Sequence, residues 1–330
     1  MQWLQTLLVC SRCFLYNIRI SVDMDRQDFL KLSTQEIKTL VSGRHVPEVG
    51  VFVPDGNRRL VLAMTDLKEN GEEFFRQVAL TQTSGFLENL KVFFGHGLSV
   101  LFAPLFSRPV LQERSKGYRS LTVLETLRIL FTEPTWLQFF DAWKICVKVY
   151  GDLDALTDEC SPAISWARAL EERTKANEGH WLCLGIGGEP YIGDDVFAGT
   201  LSYSERFGCR PAREQLTQFL YGRAFPPADF VIVSSKFGGI GAFPGLICGK
   251  DTRIYYLPVP GIVGLTECTY RKILYDILFV QAEAEQKRGY DLTPAARRAL
   301  KTWYEEHVDD VIGTGRTLES VWLPVTDGNE

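Results

Sequence analysis

The apolar residues of this chain follow two alternating patterns. Five apolar runs have the length of strands, and they cover residues 49–53, 98–106, 144–150, 181–186 and 228–233. The other segments place apolar residues at intervals of three and four, which predicts helices over residues 23–42, 72–95, 118–131, 135–143, 158–177 and 266–285, after Pro211 and from Thr293 onward. Strands joined by helices pair in parallel, because each crossover returns the chain to the same edge of the sheet. The pattern therefore predicts an α/β fold with a central, mostly parallel sheet flanked by helices.

The chain contains no internal repeat and no linker that would divide it. We therefore expect one folded domain over residues 26–312, an N-terminal extension over residues 1–25 and a frayed polar tail over residues 313–330. The extension is apolar up to residue 22, but its longest charge-free run, residues 1–11, is too short to span a bilayer. No stable membrane span is expected, and a membrane-touching helix and a mis-assigned start both remain open.

Composition narrows the classes of partner. Of the 330 residues, 45% are hydrophobic, so the chain can bury a large core. The formal net charge is −5 and no basic block stands out, which argues against nucleic-acid binding, since backbone phosphates require clustered cations. The eight cysteines are scattered, and Cys10-x-x-Cys13 lacks a second pair, so neither a disulfide framework nor a zinc site is expected. We expect reduced thiols in a cytoplasmic or membrane-peripheral protein.

The most informative chemistry follows the first predicted strand, in the turn Asp55-Gly56-Asn57-Arg58-Arg59. A glycine lets backbone N–H groups approach an anion, and two guanidinium groups can each grip phosphate oxygens. The carboxylate of Asp55 offers the hard oxygens that Mg²⁺ prefers. The turn therefore predicts a phosphate site at the carboxyl end of a strand, with a solvated surface turn as the alternative.

A short apolar strand followed by Asp-Gly-Asn-Arg-Arg resembles the first motif of the cis-prenyltransferases, the undecaprenyl and dehydrodolichyl diphosphate synthase family. In that family the turn cradles the diphosphate of an allylic substrate and its aspartate serves Mg²⁺. The resemblance implies a cis-prenyltransferase-like fold, catalytic roles for Asp55, Asn57 and Arg59, and Asp55 as the Mg²⁺ ligand. It also implies a set of diphosphate-binding residues, namely Gly56, Asn57, Arg58, Arg59, Ser107, Arg108 and Lys236.

Three later strand ends are similar to the family in part. Ser107-Arg108-Pro109 is a shortened match to a strand that ends in Phe-Ser and is followed by Arg-Pro. Gly151-Asp152 and Gly187-Gly188 match a Gly-Asp and a Gly-Gly strand end. His96, at the end of a predicted helix, is interpreted as a cap rather than as a ligand.

Two departures concern the second substrate of the family. Members that elongate a chain carry an Arg-Thr-Gly-Gly-Glu-x-Arg run, whose arginines hold isopentenyl diphosphate. Residues 234–244 of this sequence lack both arginines, and their one cation is Lys236. Arg253 stands where the family has a glutamate that helps to bind Mg²⁺. Isopentenyl diphosphate is therefore not expected as a substrate.

One subgroup shares these departures. From residue 49 to residue 279 the chain resembles the tuberculosinol and tuberculosinyl adenosine synthase type of terpene enzyme, most specifically in Thr-Glu-x-Thr-x-Arg-x-Ile-Leu-Tyr-Asp at residues 266–276. An acidic cluster of that type is replaced here by Arg-Pro-Val-Leu at residues 108–111. The resemblance implies a terpene synthase that ionises a C15 or C20 prenyl diphosphate with Mg²⁺, loses diphosphate and quenches the cation with water or another nucleophile.

Several alternatives stay open at this point. The chain could pass the prenyl group to an acceptor other than isopentenyl diphosphate, or elongate a chain. A non-catalytic partner subunit is disfavoured by the intact Asp-Gly-Asn-Arg-Arg turn. Neither usual acid motif of terpene synthases is present, because Asp194-Asp195 has no third aspartate and Asp152-x-Asp154 has no doubled one. The family resemblance also implies a homodimer.

Overall fold

A parallel sheet of six strands forms the centre of the molecule. The computed structural model describes residues 24–156, 158–188, 193–234, 243–281, 292–319 and 321–324. The strands are β1 (Val49–Val53), β2 (Val100–Ser107), β3 (Ile145–Tyr150), β4 (His180–Gly188), β5 (Phe230–Ser234) and β6 (Arg253–Leu257). They lie in the order β3-β4-β2-β1-β5-β6, and every neighbouring pair is parallel. The predicted α/β fold class is confirmed.

Helices cover both faces of this sheet. In the first half of the chain they are α1 (Arg26–Lys31), α2 (Thr34–Arg44), α3 (Asn57–Met64), α4 (Glu72–Gly95), α5 (Arg108–Glu113), α6 (Lys116–Tyr118), α7 (Leu124–Thr132) and α8 (Pro134–Ala142). In the second half they are α9 (Pro162–Thr174), α10 (Asp194–Phe207), α11 (Arg213–Tyr221), α12 (Gly261–Gly264), α13 (Glu267–Tyr275) and α14 (Pro294–Glu306). Two π-helical turns, Arg119–Val123 and Asp276–Val280, follow α6 and α13 directly.

Alternation along the strands divides the core into two layers. On β1, Phe52 belongs to the larger layer, which also contains the buried faces of α4, α7, α8, α9 and α13. Val49 and Val51 belong to the smaller layer, together with Tyr221 of α11 and Phe225. Burial on both faces explains why β1 to β5 are near-continuous apolar runs, whereas the edge strand β6 leaves Ile254 exposed.

The structure corrects three expectations about individual elements. Residues 23–42 do not form one helix, because Ser33 begins a new one and forms a capping box with Glu36. Sequence reasoning missed α10, which buries only Gly199 and Tyr203 and so lacks a strong apolar stripe. The expected frayed tail instead contains a two-stranded antiparallel hairpin, β7 (Gly315–Leu318) and β8 (Val321–Pro324).

Several helix ends are capped, and His96 is a cap as its position predicted. Thr266 and Thr293 accept hydrogen bonds from backbone N–H groups in the first turns of α13 and α14. His96 caps the end of α4, and its Nδ1 lies 2.8 Å from the carbonyl oxygen of Val92. Among the described residues, no helix is long and apolar enough to cross a membrane.

Candidate functional site

Parallel pairing brings the carboxyl ends of all six strands to one edge of the sheet. β1 lies inside the sheet, between β2 and β5. After β1, the chain forms β2, β3 and β4 on one side of β1 and then β5 and β6 on the other side. The strand order therefore reverses at β1. Ligands of open α/β sheets bind at the carboxyl edge at such a point. The predicted turn follows β1 at this edge.

Ser234, the last residue of β5, fixes the start of the turn. Its buried hydroxyl donates to the carbonyl oxygen of Val53 at 2.9 Å and accepts from the backbone N–H of Asp55 at 3.0 Å. The carboxylate of Asp55 is exposed and accepts the backbone N–H of Gly56 at 2.7 Å. Gly56 has φ of +92°, a backbone conformation that residues other than glycine rarely adopt. The turn is thus held by a neighbouring strand and by its own carboxylate.

Gly56 is also the N-cap of α3, so the turn opens onto the N-terminus of a helix. The first turn of α3 contains no acidic residue and instead carries Arg58 and Arg59. Cations there oppose the positive end of the helix dipole, at a cost of about 0.3–1 kcal/mol each. A bound anion reverses that cost, because it meets the helix N-terminus and both guanidinium groups together.

Asn57 is the buried member of the turn, with 8% of its surface exposed. Its Nδ2 donates to the carbonyl oxygen of Pro54 at 3.1 Å, whereas its Oδ1 is buried with no hydrogen-bond partner among the described residues. The amide therefore ties α3 back to the end of β1 and retains one unused acceptor beside the exposed carboxylate.

Two tyrosines that sequence reasoning missed flank the arginines. The Arg58 guanidinium lies 5.7 Å from the centre of the Tyr118 ring, and its Nη2 lies 3.2 Å from Oε1 of Glu69. Burial raises the pKa of Tyr118, and the charge of Arg58 opposes that rise. Burial likewise raises the pKa of Tyr256, against the charge of Arg59. Both phenols are therefore neutral hydroxyl groups near neutral pH.

The positions of these tyrosines explain why they were missed. Tyr256 is the penultimate residue of β6, and its place at the carboxyl edge becomes evident only from the strand order. Tyr118 follows β2 in a separate helix, and no local signal relates it to Asp55.

A second group of the predicted residues follows β2. Ser107 is half-buried and pairs with Gly188 at the ends of β2 and β4. Nη2 of Arg108 donates to Oδ2 of Asp152 at 2.6 Å, which links the ends of β2 and β3. Arg108 thus lies at the correct edge, but its guanidinium is engaged by a carboxylate.

The sequence also singled out Lys236 and Arg253. Lys236 lies outside the described residues. Arg253 begins β6, where it pairs with Phe230, so it lies at the amino edge of the sheet. Four residue steps along the strand, or about 13 Å, separate it from the carboxyl edge at Leu257. The structure therefore does not bring Arg253 to the turn that contains Asp55.

The carboxylate of Asp55 is the acidic group suited to a metal ion here. In the described part of the chain, no group of three or more His, Cys, Asp or Glu side chains could hold a metal ion by itself. Mg²⁺ is commonly bound by one or two carboxylates together with substrate phosphates and water. The exposed carboxylate of Asp55 can supply one such ligand, and Arg58 and Arg59 beside it can contact the phosphates.

A crevice starts at Pro54 and runs between the sheet and two helices. The side chains that line it leave no room for a water molecule. Its lining comes from the end of β1, from α4, from β2 and from α7, namely Pro54, Gln82, Thr83, Phe86, Leu105, Thr126 and Leu130. The lining is mostly apolar, and it begins one residue before Asp55. A charged turn and an apolar crevice therefore adjoin at one strand end.

The chain is similar to two bacterial enzymes. It is 28% identical over 305 residues to a tuberculosinyl adenosine transferase of Mycobacterium tuberculosis (strain CDC 1551 / Oshkosh), covering 91% of this chain and 98% of that one. It is 24% identical over 283 residues to a (+)-kolavelool synthase of Herpetosiphon aurantiacus, covering 84% and 89% of the two chains. No protein-family model matches.

Solved structures agree on the fold. A lavandulyl diphosphate synthase from Lavandula x intermedia, in complex with dimethylallyl diphosphate, superposes with a TM-score of 0.56 at 17% identity, covering 74% of this chain and 96% of that one. A probable undecaprenyl diphosphate synthase from Campylobacter jejuni gives 0.50 at 19% identity, covering 70% and 94%. The resemblance that the motifs indicated is confirmed, and the chain has the cis-prenyltransferase fold.

Proposed function

We propose that this chain is an enzyme that ionises a C15 or C20 prenyl diphosphate, releases diphosphate and forms a terpene or a terpene alcohol. The observation that carries the proposal is the pair of arginines in the first turn of α3, beside an exposed aspartate and at the mouth of an apolar crevice. A diphosphate joined to a hydrocarbon chain matches that combination. The similarity to a transferase and a synthase of the terpene class supports it.

The roles follow from the positions of the groups. The N-terminus of α3, Gly56, Arg58 and Arg59 bind the diphosphate, and their charges stabilise the negative charge that grows as the C–O bond breaks. Asp55 would hold Mg²⁺, which would supply positive charge to the leaving diphosphate. The unused Oδ1 of Asn57 accepts a hydrogen bond from a water or another donor at this position. Ser107 contributes to diphosphate binding and Arg108 does so more weakly, because Asp152 engages its guanidinium. The role of Lys236 in binding the diphosphate stays a prediction from the sequence.

The crevice receives the prenyl chain. Phe86, Leu105 and Leu130 supply apolar surface directly behind the turn. In this structure the crevice has no room even for a water molecule, whereas typical ligand pockets measure roughly 300–1,000 Å³. We therefore expect α4 and α7 to separate when substrate binds.

A second candidate is prenyl transfer to an acceptor other than isopentenyl diphosphate. Similarity over 91% of this chain to an adenosine-prenylating enzyme favours it. Chain elongation is disfavoured because residues 234–244 contain a single cation, Lys236, in place of two arginines.

The test is incubation of purified protein with C10, C15 and C20 prenyl diphosphates, with diphosphate release and extractable products measured together. We expect release from the C15 or C20 substrate, its loss on chelation of Mg²⁺, and no incorporation of labelled isopentenyl diphosphate. Added nucleosides distinguish the transferase from the synthase by the mass of the product. Absence of diphosphate release from every substrate would refute the proposal.

We further propose one catalytic domain over residues 26–312 and a homodimer in which α14 of two copies pair antiparallel. No residue of α14 is buried, and Trp303 and Tyr304 are 54% and 59% exposed. Charges divide along this segment, with Arg297, Arg298 and Lys301 followed by Glu305, Glu306, Asp309 and Asp310. An antiparallel pair sets the basic half of one copy against the acidic half of the other, which is self-complementary about a two-fold axis.

Light scattering at micromolar concentration tests this assembly. We expect twice the mass of one chain, and a monomer after W303D with Y304D. Phe197, which is 74% exposed on α10, provides the control as F197D. A monomeric wild-type protein would exclude the dimer.

The six described cysteines, 146, 160, 183, 209, 248 and 268, are all free thiols, which supports a cytoplasmic or membrane-peripheral location.

A further inference from the structure

The most specific motif of the sequence, at residues 266–276, takes no part in the site described above. Its side chains Glu267 and Arg271 lie one turn apart on α13 and form an ion pair, in which Nη2 of Arg271 donates to Oε1 of Glu267 at 2.7 Å. The side chain of Arg271 is only 13% exposed, and α13 packs against α1 and α4. The pair therefore lies between elements of the fold.

The ion pair complements two helix ends that meet beside it. Nη1 of Arg271 donates to the carbonyl oxygens of Leu30 and Leu32, at 3.0 and 2.5 Å, at the C-terminus of α1. Oε1 of Glu267 accepts the hydroxyl of Thr34, the first residue of α2, at 2.6 Å. A cation at a helix C-terminus and an anion at an N-terminus are both stabilising. A helix of six residues is not stable alone, so α1 depends on these contacts and on its one buried side chain.

His96, at the end of α4, is the third member of this cluster and is 1% exposed. Its Nδ1 lies 2.8 Å from the carbonyl oxygen of Val92, which can only accept, so Nδ1 carries a proton. Its Nε2 lies 3.3 Å from Nε of Arg271 and 3.4 Å from Oε1 of Glu267. A neutral imidazole with its proton on Nδ1 offers Nε2 as an acceptor to the guanidinium.

A second proton on His96 reverses that contact. Nε2 becomes a donor, and it then faces the Nε of Arg271, which can only donate. Two positive charges at this distance repel each other. The new N–H turns toward Oε1 of Glu267, an oxygen that already accepts from Thr34 and Arg271. The guanidinium thus loses one acceptor and shares its carboxylate with a second cation.

We propose that His96, Glu267 and Arg271 form a proton-operated latch, which holds α1 on the fold while His96 is neutral and releases α1 when His96 gains a proton. One proton moves from solvent to Nε2, and no covalent bond between heavy atoms changes. Arg271 then withdraws from the two carbonyl oxygens at the end of α1. The latch contains no residue of the diphosphate site, so the inference does not depend on the proposed function.

The charged and titratable groups that face His96 come from α13 and α2. On α13 they are Glu267, Arg271 and Tyr270, whose ring centre lies 5.7 Å from that of the imidazole. On α2, the stem of Lys38 lies over the glycine that follows His96. Burial raises the pKa of Tyr270, which stays neutral. The hydrogen bond from α2 lowers the pKa of Glu267, which therefore remains a carboxylate in mild acid.

The direction of the pH effect follows from the burial of His96. Burial holds the pKa of His96 below its usual range, although the carbonyl of Val92 and the carboxylate of Glu267 oppose the shift. An exposed histidine titrates near about pH 6.5, so a released His96 takes up a proton more readily than a latched one. The latch is therefore fully closed above about pH 6.5 and is lost as the pH falls through the lower pKa of the closed state.

Hydrogen exchange of the whole chain at about pH 7.5 and about pH 5, corrected for the intrinsic effect of pH and read by peptide mass spectrometry, tests the latch. H96Q cannot take up a proton, and its amide oxygen can still accept from Arg271. R271M removes the guanidinium altogether. H180Q is the matched control, because Nδ1 of His180 also lies 2.8 Å from a carbonyl oxygen, that of Leu98, and burial also lowers the pKa of His180.

In the wild type we expect residues 26–34 to exchange at least about tenfold faster at the lower pH, as for one lost charge-assisted hydrogen bond, while β1 and β2 stay protected. H96Q should exchange equally at both pH values, R271M rapidly at both, and H180Q like the wild type. Unchanged exchange of residues 26–34 in the wild type overturns the inference without any variant. A pH effect that persists in H96Q, protection of α1 in R271M, or opening of β1 and β2 together with α1 also overturns it.

Discussion

Two strands that neighbour each other in the sheet end in arginine-containing turns, and the two turns differ in what they offer an anion. The turn after β1 contains a glycine with φ of +92° and opens α3, a helix of 8 residues with both arginines in its first turn. The turn after β2 continues into α5, a helix of 6 residues with proline near its start. Proline has no backbone N–H, so the second turn presents fewer donors.

The two turns also differ in how closely a carboxylate approaches their arginines. Arg108 donates to Asp152 at 2.6 Å, so that carboxylate already takes the position of an anionic ligand. Arg58 reaches Glu69 at the longer distance of 3.2 Å, on a carboxylate whose side chain is 53% exposed. Cation content at a strand end therefore does not by itself indicate a phosphate site. Backbone donors, the helix N-terminus and the counter-ions decide it together.

The largest expected effect follows from removing the carboxylate of the first turn. D55A should lower the rate of diphosphate release by about 100- to 1000-fold, because the role that we propose for Asp55 acts mainly as the C–O bond breaks. Its exposed position should keep the change in unfolding free energy within about 1 kcal/mol. Diphosphate release by protein that is folded by circular dichroism measures this.

The second turn supplies the control for that variant. D152A removes a carboxylate from the neighbouring strand end, and it should reduce the rate by less than about tenfold, because we assign Asp152 no metal. If D55A retains a rate near that of the wild type, the two turns do not differ as described and the site assignment is wrong.

The next effect concerns the arginines themselves. R59A should lower kcat/KM by about 10- to 100-fold, the loss expected for one charge-assisted hydrogen bond to the diphosphate. R59K should restore part of this loss, because it returns the charge without the planar pair of donors. Steady-state kinetics with the C15 and C20 substrates provides the measurement. Equal losses in R59A and R108A would erase the distinction between the two turns.

Much of this comparison could be predicted from local sequence. The apolar run of β1 and the Asp-Gly-Asn-Arg-Arg sequence predicted a strand and the turn that follows it. Residues 72–95 were predicted as a helix with the bounds that α4 has, because its apolar residues recur at three- and four-residue intervals over 24 positions.

The remainder depends on partners distant in the sequence. The bond from Asp55 to Ser234 joins residues 179 positions apart, and the pair Arg108–Asp152 joins residues 44 apart. These contacts require the strand order, which no local pattern contains.

The smallest expected effect concerns the pair that neutralises the second turn. Arg108 and Asp152 have side chains 32% and 41% exposed, so their pairing should contribute no more than about 1 kcal/mol to unfolding. A double-mutant cycle with R108A and D152A measures that coupling directly. D152N should strengthen the binding of inorganic diphosphate a few-fold, because it removes the negative charge of Asp152 at the strand end. R108A should weaken it by less than R59A does. If R108A abolishes diphosphate binding while D152N has no effect, the guanidinium of Arg108 binds diphosphate despite its counter-ion, and both turns form one phosphate site.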